Sequence, residues 1–185
     1  GNDGGILHAN VSWSVTRLSA TATNTVSTTA VSVAGQSILS TIFYIQRSIL
    51  PFDTSALPDD AVVNSATLDC SVEIVSGTGE IVHMVTCPTT TAAASYNISL
   101  WGASSAGAFP ASMTLNGRYS AAIDITQIAV SKTGTTYVGL RGAGDLNDVQ
   151  PVGANRYRFH SGDATTEAYR PTLTVEYTVP SVYRE

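Results

Sequence analysis

From position 66 onward the chain alternates. Leu68, Cys70, Val72 and Ile74 fall on one side, and Thr67, Asp69, Ser71 and Glu73 on the other. That is the period of a half-buried strand. It returns at 172–178, where Leu173, Val175 and Tyr177 oppose Thr172, Thr174, Glu176 and Thr178, and at 155–160, where Tyr157 and Phe159 oppose Arg156, Arg158 and His160. Residues 41–50 form a β-branched and aromatic run that Pro51, lacking an amide hydrogen, is expected to end. Asp53-Thr54-Ser55 and Pro58-Asp59-Asp60 supply turn chemistry behind it. Further strands are predicted at 11–18, 81–86, 96–101, 119–125 and 136–141, with a hairpin at Asn116-Gly117. Thr126 caps the one predicted helical turn, over 127–130. Residues 1–10 read as a flexible lead-in, 179–185 as a flexible tail, and the Ser/Thr/Ala tract at 19–37 as an edge strand or extended crossing.

About nine or ten short strands, with turn signals between them and no βαβ alternation, predict an all-β chain. The expected architecture is one antiparallel β-sandwich domain over 1–185. The apolar fraction of 43% is enough for a core, while the charged fraction of 12% is about half the usual share. A disordered chain would combine high net charge with low hydrophobicity, and this one has neither. Net charge is −5 and Lys132 is the only lysine. Without clustered cations, nucleic acid is not expected as a partner. An anionic membrane is not expected for the same reason, no apolar run is long enough to span a bilayer, and no signal peptide is visible.

Chemistry is sparse. No Gly-x-Ser-x-Gly elbow occurs, and His8, His83 and His160 lie on separate segments. His160-Ser161-Gly162-Asp163 holds the letters of a triad, but chain neighbours cannot converge as one. No catalytic residue is assigned. Asp145, Asn147 and Asp148 in a Gly-bounded loop offer hard oxygen ligands for a structural calcium, against the plainer reading of a solvated turn. Sugar binding needs exposed aromatic faces. Trp101, out of phase with Tyr96, Ile98 and Leu100, is the first candidate, followed by Tyr119 and Tyr169. Cys70 and Cys87 are expected on consecutive strands around Ser76–Gly79, where they form either a disulfide or two buried thiols. Arg47 sits mid-strand, and a pairing with Asp53 or another carboxylate is the favoured reading.

The stretch IQRSILPFDTSALPDDAVVNSATL resembles the opening of the DNRLRE-type β-sandwich family: an arginine-bearing strand, a Phe-Asp turn, a Leu-Pro loop and an A-x-L strand. IDITQIAVSKTGTTYVGLRG and RYRFHSGDATTEAYRPTLTVEY are similar to its helix turn, Gly-Leu-Arg strand, Phe-x-Ser corner and closing Arg-Pro-x-Leu strand. The likeness spans roughly 41–178, although the string that names the family does not occur. The resemblance implies a non-catalytic jelly roll of the kind found in secreted, cell-surface and phage structural proteins, some of them related to carbohydrate-binding modules. The expectation is therefore an extracellular or virion-surface structural module, such as a capsid decoration or tail component, that assembles with copies of itself or with other structural proteins. A carbohydrate-binding module that anchors a partner to polysaccharide is the alternative.

Overall fold

The structure, a computed structural model, describes residues 3–26 and 31–180. Its strands are β1 (Gly4–Asn10), β2 (Asn24–Val26), β3 (Val31–Leu39), β4 (Ile42–Asp53), β5 (Val62–Gly77), β6 (Val82–Val85), β7 (Gly107–Phe109), β8 (Arg118–Ile123), β9 (Thr135–Gly142), β10 (Asn155–His160) and β11 (Thr172–Thr178). All their pairings are antiparallel, and they join in one nearly closed sheet, so the all-β expectation holds.

Two long strands are its spines. β4 pairs with β3 through 42–46, with β9 through 48–53 and with β1 through 43–49. β5 pairs with β8, β10 and β11. Pro51 does not end β4. Pairing with β1 stops at Ile49, so a residue without an N–H is tolerated just beyond it. β3 links the two spines because it leaves β4 to pair with β10. It turns at Gly35, whose φ is 138° and where a Cβ would lie 2.4 Å from the Asn155 carbonyl.

Inside, Leu68, Cys70 and Val72 of β5 meet Leu50 of β4, Val138 and Leu140 of β9, Met84 of β6, and Tyr157 and Phe159 of β10. A register shift between Arg158 and Phe159 skips one residue of β5, so Val75, and not Ile74, joins this core.

A second apolar layer lies on the outer face of β4. Ile45 and Ile49 alternate there with inward Leu50 and pack under Tyr96, Trp101, Val85 and Ile6. Segments expected to be strands or loops build its cover. α1 (Trp13–Leu18) replaces the strand predicted at 11–18; the Ser12 hydroxyl accepts from the Val15 amide at its start. Two 3-10 turns, Ala93–Tyr96 and Ile98–Leu100, replace the strand at 96–101. α2 (Ala143–Asn147) occupies the predicted loop and ends at Asp148 in the left-handed region, φ 57°. The turn predicted helical at 127–130 closes instead on Asp124, whose carbonyl accepts from the Gln127 and Ile128 amides. Residues 4–10, predicted flexible, form β1. Residues 27–30 of the Ser/Thr/Ala tract and 181–185 of the predicted tail lie outside the described residues.

Candidate functional site

The outer layer holds three sealed charges, Arg47, Arg141 and Asp145. The alternation that puts Ile45 and Ile49 outward also puts Arg47 there, and on β9 it does the same for Arg141. Both are sealed, Arg47 at 0% and Arg141 at 1% exposure. α2 places Asp145 between them. Arg47 grips it with both arms, Nε to Oδ2 at 2.7 Å and Nη2 to Oδ1 at 2.8 Å. Arg141 Nε donates to Oδ2 at 2.9 Å. Remaining donors find carbonyls: Arg47 Nη1 reaches Tyr96 at 2.6 Å and Arg141 Nη1 reaches Gly102 at 2.9 Å. From α1, Arg17 Nε donates to the Asp145 carbonyl at 2.8 Å. The Tyr96 ring lies under the Arg47 guanidinium, 4.3 Å from its centroid.

Burial opposes the Asp145 charge, but Arg47 and then Arg141 override it and hold its carboxyl at about 2. Burial likewise works against the Arg47 charge, and Asp145 reverses the balance so that its pKa ends above the ordinary value. A buried charge group with every arm engaged joins five chain segments into one cap.

Glu80 borders this group from the crossing between β5 and β6. Its Oε2 accepts from the Gly144 amide at 2.9 Å, and its Oε1 lacks a partner. Burial pushes its pKa up to about 7. The Gly144 N–H pulls it partly back, Asp145 repels it further, and the Gln36 backbone pulls weakly the other way.

The structure does not bring the predicted ligand residues together. Trp101 is 5% exposed, packed in the outer core with its Nε1 donating to the Ser95 carbonyl at 2.7 Å, and therefore offers no platform. Its step out of phase with Leu100 marks the end of a 3-10 turn, which carries the ring inward. Tyr119 is half-buried against the inner core, and its hydroxyl accepts from the Thr114 amide. Tyr169 stacks on His160, 4.7 Å between ring centroids.

The calcium loop also dissolves. Asp145 points inward to two arginines, Asn147 is exposed, and exposed Asp148 accepts from Trp13 Nε1 at 2.9 Å and faces Arg17. Guanidinium groups occupy the place a cation would need. Arg47 pairs with Asp145, while Asp53 is exposed and bonds Ser55.

The disulfide fails on topology. β5 and β6 form no hairpin, since β6 pairs with β7 and β9. Cys70, opposite Tyr119, lies in the inner core, and Cys87 packs in the outer layer; both thiols are free.

Arg141 and Glu80 carry this region and were not singled out from sequence. The available signal was an arginine at the outer phase of an apolar strand four residues before an aspartate. The chain matches no protein-family model, and no curated protein matches it.

Proposed function

We propose that this chain is a non-enzymatic structural module of a virion or other extracellular surface assembly, which docks with other protein chains along β11. The observation that supports the reading is the edge itself. Among the described strands β11 pairs only with β5. The edge carries exposed Tyr177 and Val179, with exposed Val62 beside it on β5 and Glu176 as its one charge. Exposed strand edges with apolar residues are the surfaces that β-augmentation uses. The sealed Arg47–Asp145–Arg141 group suits this role, since all its arms serve the cap. The resemblance to phage and surface β-sandwiches points the same way. The polysaccharide alternative loses its chief support with Trp101 buried.

The test is absolute mass by light scattering behind size exclusion across a concentration series. The expected result is a mass that rises above the 19.3 kDa protomer with concentration. Tyr177→Lys should remain at the protomer mass. A wild-type protein and a variant that behave alike would refute docking through β11.

A further inference from the structure

At the other end of β4 a pocket opens between Pro51, Phe52 and Pro171, with Asp3 at its floor and Gly162 at its mouth. Asp3 is 7% exposed, yet only one of its oxygens is used: Oδ2 accepts from the Gly162 amide at 2.7 Å, and Oδ1 has no partner. A buried carboxylate oxygen without a donor is costly, and native structures rarely leave one so. Gly162 keeps the way to it open. A side-chain Cβ there would stand 3.8 Å from Oδ2 and 3.9 Å from Oδ1. Asp163 also lines the pocket. Arg170, next to Pro171, does not line the pocket, and its Nε is bonded to the Ala164 carbonyl at 2.9 Å.

We propose that this pocket is a socket for a lysine side chain of a different polypeptide. The two prolines and Phe52 form an apolar wall for the methylene stem, and Asp3 Oδ1 accepts from the ammonium head. Arginine fits less well, because its fork calls for two carboxylate oxygens and Oδ2 is already taken. A divalent ion calls for six or more oxygens, and among the described residues no group of three His, Cys, Asp or Glu side chains comes together. A second copy of this chain is a poor source of the lysine. Its single lysine, Lys132, is tied down by the Asp59 and Ala61 carbonyls, at 2.6 and 3.1 Å. The socket is separate from the β11 edge and stands without it.

The experiment is an amide NMR titration of the full chain, following the Gly162 N–H, with Nα-acetyl-lysine methylamide as the probe. The norleucine analogue serves as the neutral control and calcium chloride as the competing cation. The lysine probe should give a saturable shift at Gly162 and the norleucine analogue none. Asp3→Asn, which keeps an acceptor for Gly162 but sets an amide N–H₂ in place of Oδ1, should weaken the probe about tenfold or more. Gly162→Ala, whose methyl enters at ordinary contact distance and leaves the carboxylate in place, should weaken it comparably. An equal response to norleucine, binding retained in Asp3→Asn, calcium shifting Gly162 and displacing the probe, or no saturable shift would each overturn the proposal.

Discussion

Replacing Glu80 with glutamine tests the electrostatics of the cap directly. The carboxyl pKa rises from 4.5 in the unfolded chain to about 7 in the fold. Below 4.5 both states are protonated. Between 4.5 and about 7 the folded state holds a proton that the unfolded state has released. Stability is therefore greatest on the acid side and is lost as pH rises through 7. At about 1.4 kcal/mol per unit of pKa, the loss is about 3 kcal/mol. Glutamine keeps an oxygen for the Gly144 amide and has no charge to bury, so Glu80→Gln should be nearly flat across this range. The assay is urea unfolding followed by tryptophan fluorescence, which reports on the cap through Trp13 and Trp101, at steps from about pH 4 to pH 8. The gap between variant and wild type should widen by about 3 kcal/mol over that span. Parallel stability curves for the two proteins would refute the reasoning, because they would mean that Glu80 ionises as freely in the fold as out of it.

Three further outcomes follow. Asp145→Asn leaves two buried guanidinium groups without their counter-charge and should cost about 3–5 kcal/mol in urea unfolding at neutral pH; a loss below about 1 kcal/mol would mean that the arginines repack. In wild type the depressed Asp145 carboxyl contributes stability above 3.8 that is lost as pH falls towards about 2, so acid unfolding should begin there and shift to higher pH in Arg141→Met. Denatured, unreduced protein should titrate two thiols, while the folded protein reacts slowly with a thiol reagent, since burial pushes Cys87 up to about 12 and Cys70 higher still. A reductant that lowers the melting temperature would contradict the free-thiol assignment.

The strands whose alternation is long and one-sided, β5, β10 and β11, were legible in the sequence because one face meets a core and the other meets solvent. Short windows misled. WSVTRL has apolar residues at the period of a strand, yet a Ser12 cap and tertiary contacts make it α1. The Tyr96, Ile98 and Leu100 alternation breaks because the Asn97 side chain accepts from the Ser99 amide and folds the segment into 3-10 turns. β1 hid behind Gly4-Gly5, a pair that reads as turn chemistry but is buried and pairs with Ile49 and Ser48 of β4. The outer layer was the least legible part. Arg47 looked out of place on its strand for a sound reason, but its counter-charge lies 98 residues away. Local pattern cannot show such a partner, and Asp145 read as a calcium ligand because its own neighbours are polar.

That separation also orders the events of synthesis. As the chain leaves the ribosome, β4 emerges with Arg47 on a face meant for burial, and the 3-10 turns that cover it emerge after β5 and β6. The carboxylate that makes this burial tolerable emerges only with α2, 98 positions after the arginine. Until then, closing the cap would seal a guanidinium in an apolar layer without an anion. The cap is therefore expected to close only after α2 has delivered Asp145 to its two arginines.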